Sequence, residues 1–227
     1  MQDNKVSKIW NFGIRDYPER LRRSAIHFFS LLTLRSQIPE SKWYDWPIDF
    51  IFYASDLFFV PEIQMTIIVI FKPKSRALSE SEQKLIKDFY RNAIDLNHVL
   101  VNSEASFLVR QFAYAYVTHQ IVHYENKIND AVMIHEMMHV LQFQKFGSVY
   151  IYRALKAQKS KYGYDYGGIP RLKRGILKDK SIFQYNFEQQ AMIMEDYFLS
   201  AKHASKNNER EEEDLKVYQH YHKSLFS

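Results

Sequence analysis

"AVMIHEMMHVLQFQKFG", residues 131–147, is the stretch on which the reading of this chain turns. His135 and His139 stand four apart with Glu136 between them. Their neighbours are apolar: Val132, Ile134, Met137, Met138, Val140, Leu141 and Phe143. Asn129 or Asp130 can cap a helix here, and Gly147 sits where a left-handed C-terminal residue belongs, so the spacing predicts a helix over 130–146. An apolar surface nearly all round marks a helix through the middle of a domain. Residues i and i+4 share one helix face, so both imidazoles can address a single ion. Zinc takes such nitrogens at ~2.0–2.1 Å, and a catalytic site needs a third protein ligand and an open position. Glu136 follows the first ligand, where it can take a proton from the attacking water without itself binding the metal. The competing reading is two hydrogen-bonded core histidines and an ion-paired glutamate. Burying three such groups without a partner is expensive, which favours the metal.

The third ligand must come from further on. No third histidine closely follows His139, so the long metzincin pattern is absent. The stretch "YNFEQQAMIMEDYF", residues 185–198, offers Glu188, Glu195 and Asp196 on a predicted helix. Glu188 and Glu195 share a face but are separated by ~10 Å of helix, so they cannot both hold one ion. Glu188 lies in the first turn, where the helix dipole favours a carboxylate. It is the preferred ligand. Glu195 is the backup ligand, or the carboxylate that fixes a histidine's tautomer.

Composition narrows the chemistry. The chain has 227 residues and no cysteine, which excludes disulfides, cysteine–zinc sites and a cysteine nucleophile. The metal expected is therefore Zn2+ held by His and carboxylate. The net charge of +5 suits acidic surfaces such as nucleic acid, phospholipid or an anionic cell-wall polymer, and does not choose among them. Lys and Arg are scattered, and no nucleic-acid-binding motif is present, so no specific nucleic-acid partner is expected. The N-terminus lacks a basic and apolar leader, which predicts a cytoplasmic location in the producing cell. The longest charge-free apolar run, 63–71, is shorter than the ~20 residues that cross a bilayer, so no transmembrane segment is expected. It reads as a buried strand, with a short core helix as the alternative.

Elsewhere, 19–34 is predicted helical, with Leu21, Ala25, Phe28, Phe29 and Leu32 buried and Arg20, Arg22 and Arg23 wet. Ser79 and Glu82 form a capping box for a helix over 79–94. Short strands are expected at 99–101, 107–109 and 113–124. Residues 158–185 read as loop. The acidic tail reads as a solvated helix or a partly disordered segment, with His220 and His222 at the surface. His119 and His123, just ahead of the 130–146 helix, either line a cleft, where they could touch substrate or the metal, or are surface or hydrogen-bonded histidines. A donor for a developing oxyanion is expected from Tyr164, Tyr166 or Tyr185, and Tyr166 is the choice.

HEMMHVLQFQ (135–144) followed by YNFEQQAMIMEDYF (185–198) resembles a zincin-like (HExxH…E) metallopeptidase family associated with bacterial Vgr and Rhs proteins and contractile injection (type VI secretion-like) systems. LSESEQKLIKDFYRNAIDLNHVLV (78–101) is similar to that family's upstream helix and strand, so the resemblance covers roughly 76–199. It implies an α+β fold: a single zincin-like domain, mainly helical with a small mixed or antiparallel sheet, over 76–205. Outside the resemblance, residues 1–75 are expected to be a helical and strand segment packed on that domain, and 206–227 a charged tail or helix. The resemblance implies His135, His139 and Glu188 as zinc ligands and Glu136 as base. The substrate would be protein or cell-wall peptide, and the partners a Vgr/Rhs-type apparatus and an immunity protein. Export would then need a signal-independent route through the injection system. Several gluzincins place an aspartate four residues after the ligand glutamate; here that position is Met192. The alternative function is a catalytically inert, metal-containing adaptor of the injection apparatus.

Overall fold

The computed structural model describes residues 2–33, 41–72, 74–104, 115–203 and 209–226. Among the described residues, four short strands form one mixed sheet: β1 (Ser75–Ala77), β2 (Leu100–Asn102), β3 (Ala115–Thr118) and β4 (Ile121–Tyr124). Their order is β1-β2-β4-β3; β2 and β4 run parallel, and the other pairs are antiparallel. The α-helices among the described residues are α1 (Gln2–Thr33), α2 (Trp46–Leu57), α3 (Val60–Phe71), α4 (Glu80–Tyr90), α5 (Asp130–Phe146), α6 (Val149–Gln158), α7 (Gly168–Ile176), α8 (Phe187–His203) and α9 (Glu209–Lys223). The α+β expectation, mainly helix with a small mixed sheet, is met.

The opening stretch is α5, and it runs through the core. Asn129 caps it, its side-chain oxygen accepting from the Val132 amide at 2.8 Å. Gly147 ends it at φ 77°, a conformation that disfavours any side chain. A Cβ there would also stand 2.1 Å from an Asp56 carboxylate oxygen. Ile134, Met137, Met138 and Val140 are fully buried, each contributing roughly 1.5–3 kcal/mol of burial. α8 lies alongside, and α4 is tied on by Tyr90, whose hydroxyl donates to the Ile134 carbonyl at 2.7 Å. Ile9, Met65 and Val69 from the first 75 residues share a cluster with Leu100 and Ile121 of the sheet.

Several expectations are corrected. Residues 63–71 belong to a helix, α3, as the alternative reading had it, and not to a strand. Met65 and Val69 point inward four apart, and Pro61 stands in the first turn, where its fixed φ suits a helix start. Of the segment 113–124, residues 115–124 form a hairpin rather than one strand, and 113–114 lie outside the described residues. The chain reverses at His119, φ 57°, whose amide donates to the Tyr150 hydroxyl at 3.1 Å. The region 158–185 contains α7. In α1 the expected faces are exchanged: Arg20 and Arg23 are buried, while Leu21, Ala25, Phe28 and Phe29 are exposed. The tail helix α9 docks through Val217, Tyr218 and Tyr221. His222 is buried rather than superficial, its Nε2 donating to the Phe89 carbonyl at 2.7 Å. The strand expected at 107–109 lies outside the described residues.

Candidate metal centre

Two helix starts position the cluster. Asn129 begins α5. Asn186 begins α8, accepting from the Gln189 amide at 2.8 Å, and this cap sets Glu188 in the first turn. Packing α8 along α5 brings Glu188 between the two histidines. Nε2 of His139 lies 3.5 Å and Nε2 of His135 3.7 Å from Glu188 Oε2. One ligand atom from each of the three residues falls within 4.8 Å of the others. Three ligand atoms held ~2.1 Å from one centre at tetrahedral angles would stand ~3.4 Å apart. The spacing therefore fits a shared ion better than direct hydrogen bonds, for which 3.5 Å and more is too long. Glu188 Oε2 is also buried and has no hydrogen-bond partner. Two imidazole nitrogens and one carboxylate oxygen are a catalytic zinc donor set, so the residues present fit the metal.

The far sides of both rings are held. His135 Nδ1 meets Glu195 Oε2 at 2.9 Å, and His139 Nδ1 meets Gln142 Oε1 at 2.8 Å. The second contact fixes a tautomer. Gln142 Nε2 donates to the Phe187 carbonyl (2.9 Å), which can only accept, and to Gln190 Oε1 (3.0 Å). Its oxygen must then accept, so His139 Nδ1 carries a proton, and in the neutral ring it is Nε2 that has the lone pair facing the cluster. Gln190 is fixed in turn, donating to the Tyr185 carbonyl at 2.7 Å. Gln158 Nε2 donates to Glu188 Oε1 at 3.0 Å and orients the carboxylate.

The field in this cluster favours positive charge. Burial by itself lowers both imidazoles; Glu188 and Glu195 outweigh it at His135, as Glu188 does at His139, and both are raised. Burial by itself raises Glu188; His139 and His135 outweigh it, and its pKa is lowered. Glu136 behaves differently. Burial raises its carboxyl against the opposing pull of His135 and His139. Its Oε2 is buried with no hydrogen-bond partner. One member of the group thus stays anionic to bind, while its neighbour is poised to hold a proton.

Of the expected site residues, His135, His139 and Glu188 converge, with Glu136 adjacent on α5. Glu195 supports His135 rather than joining the ligand set, and so fills the supporting role for which Met192 is unsuited. Tyr166 does not face the cluster. Its hydroxyl donates to Asp196 at 2.5 Å and shares a 2.7 Å contact with the Tyr218 hydroxyl. Tyr164 does stand beside the cluster, its ring 6.1 Å from that of His135, as does Tyr150, its ring 6.4 Å from that of His139 and its hydroxyl donating to the Val117 carbonyl. Burial, then the charges of Glu188 and Glu136, raise the Tyr164 hydroxyl, so it stays a donor. His119 and His123 stand apart from the ligand group. The His119 ring meets Gln64 Oε1 at 2.9 Å, and His123 stacks on Tyr116. The sequence reading assigned no role to Gln142, Gln158 or Gln190. The one available signal was Gln142, placed three residues after a ligand histidine and therefore on its face.

No known protein family, curated protein or solved structure matches the chain.

Proposed function

We propose that this protein is a zinc-dependent hydrolase of peptide amide bonds, with His135, His139 and Glu188 as ligands and Glu136 as general base. The observation that carries the reading is the convergence of two imidazole Nε2 atoms on an unpartnered, buried carboxylate oxygen, with a second unpartnered carboxylate beside them. When bound, zinc supplies Lewis acidity, polarising a carbonyl and acidifying water. Glu136 Oε2 takes a proton from the attacking water and returns it to the leaving amine nitrogen. The Tyr164 hydroxyl donates to the oxyanion that develops on the substrate carbonyl. Glu195 and Gln142 keep the Nδ1 protons in place, so that both Nε2 lone pairs face the reacting centre. The substrate is protein or cell-wall peptide, and the basic balance of the chain suits an anionic polymer. The resemblance adds delivery as an effector by a contractile injection apparatus, with an immunity protein in the producer.

Metal analysis and one substitution test the reading. The purified chain is expected to carry about one zinc. Glu136→Gln is expected to keep that zinc and to lose peptide hydrolysis by ~10²–10⁴-fold. Absence of zinc binding to the wild-type chain overturns the reading. Zinc binding with hydrolysis unchanged by Glu136→Gln removes Glu136 as base. Zinc binding without hydrolysis by the wild type gives the place to the inert adaptor.

A further inference from the structure

In residues 43–71 the usual distribution of polarity is inverted. The charged residues of this stretch are Asp45, Asp49, Asp56 and Glu62, and each is 1% exposed or less. They are neutralised from within. Glu62 pairs with Arg20 at 2.5 Å, Arg153 binds both Asp45 and Asp49, and Asp56 accepts from Ser148. Every exposed side chain in 43–71 except Gln64 is apolar or aromatic. Trp43, Phe58 and Phe71 are 85%, 75% and 79% exposed. α2 presents Ile48 and Ile51, with Phe58 just past its end, and α3 presents Ile63, Ile67 and Ile70 at helical spacing.

Water does not favour this arrangement. Removing an ion from water costs several kcal/mol even when it is paired, and water-facing helices keep their carboxylates outside. Charges turned inward and isoleucines turned outward suit a surface whose surroundings are hydrocarbon. A protein partner would need about one hydrogen bond per 100–200 Å² of interface. Between its two ends this face offers Gln64, whose Oε1 is already engaged by His119. The ends point to lipid as well. Lys42, Trp43 and Tyr44 stand at one end, and Lys72 and Lys74, the latter also meeting Glu104, at the other. Tryptophan and tyrosine settle at headgroup level, and lysines there attract anionic lipid.

The geometry fits lying in a membrane rather than crossing it. Residues 43–71 are long and apolar enough for a span, but the two helices are bent by 66° at their junction. Their inner sides are occupied: Arg20 of α1 binds the Asp56 carbonyl and Glu62, and Met65 and Val69 sit with Leu100 and Ile121 of the sheet. Helices held this way bury one face in the headgroup and upper acyl region. We propose that the outer face of α2 and α3 inserts into one leaflet of an anionic phospholipid bilayer and holds the protein at a membrane surface.

Flotation of the full chain with phosphatidylcholine vesicles containing roughly one-third phosphatidylglycerol tests this. The wild type is expected to float with the vesicles, and brominated lipid is expected to quench Trp43. The double variant Ile51→Lys/Ile67→Lys is expected to float roughly tenfold less or worse. Phe58→Ser/Ile70→Ser is expected to show the same direction of effect without new charge. Circular dichroism of both variants should match the wild type, because all four positions are exposed. A wild type that stays with the unbound fraction overturns the proposal. So does flotation that persists in both folded variants. A wild-type dimer in solution that does not float and that Ile51→Lys/Ile67→Lys makes monomeric also overturns it, and assigns the face to a second copy of the chain.

Discussion

Two regions of the molecule bury charge, and they finish the job differently. In the first, α1 to α3 together with α6, the carboxylates are answered by hydrogen-bond partners. Arg20 takes Glu62 with two nitrogens, Arg153 reaches Asp45 and Asp49, and Ser148 gives both its amide and its hydroxyl to Asp56. In the second, between α5 and α8, one oxygen each of Glu136 and Glu188 remains without a hydrogen-bond partner although both residues are buried. Unsatisfied buried carboxylate is costly, and these two oxygens lie beside two oriented imidazoles. Charge that is fully answered holds helices together; charge left open is available to a ligand or a proton.

The contrast can be broken at three places. The largest effect is expected from Arg20→Ala, which strands Glu62 in the interior and should cost ~3–5 kcal/mol in urea unfolding. Replacing both partners, as Arg20→Met/Glu62→Leu, should recover most of that loss. A cost below ~1 kcal/mol for the single change would show that the pair is not what joins α1 to α3. An intermediate effect is expected at the support of the cluster. Glu195→Ala removes the acceptor for His135 Nδ1 and should weaken zinc binding ~10–100-fold in competition with a chelating indicator. Unchanged affinity would mean that the ring is held by packing alone. The smallest effect is expected from Ile67→Gln on α3. This side chain is outside, so stability in the absence of lipid should move by no more than ~0.5 kcal/mol. A larger loss would mean that the exposed apolar face is packed in solution.

What the sequence revealed of this architecture follows from how local each determinant is. α5 was legible because its cap, its stop and its apolar neighbours lie within one segment. Glu188 was legible from its place in the first turn of a predicted helix. α3 was misread because an unbroken apolar run has no period to separate helix from strand; Pro61, just upstream, was the overlooked start signal. The faces of α1 were exchanged because Arg20 is buried by Glu62, which is distant in sequence, and no local pattern announces a distant counter-ion. The hairpin at His119 lacks the glycine that usually marks such a turn. Tyr164 and Tyr166 are separated by one residue, and only the docking of α8 and α9 decides which faces the cluster and which bonds to Asp196 and Tyr218.

Gln142 has one further consequence, and it concerns timing. Its oxygen sets the proton on His139, while its nitrogen is held by Phe187 and Gln190 at the start of α8. The imidazole is therefore oriented only after α8 has docked. During synthesis His135 and His139 emerge well before Glu188, and until then they are two flexible side chains with no third donor and no fixed tautomer. On the proposed reading, a chain ordered in this way does not take up a metal as a seed for folding; it completes its fold and then becomes competent. A cobalt-substituted sample followed during refolding would carry its ligand-field absorbance as a clock, rising last, with the closure of α8 on α5.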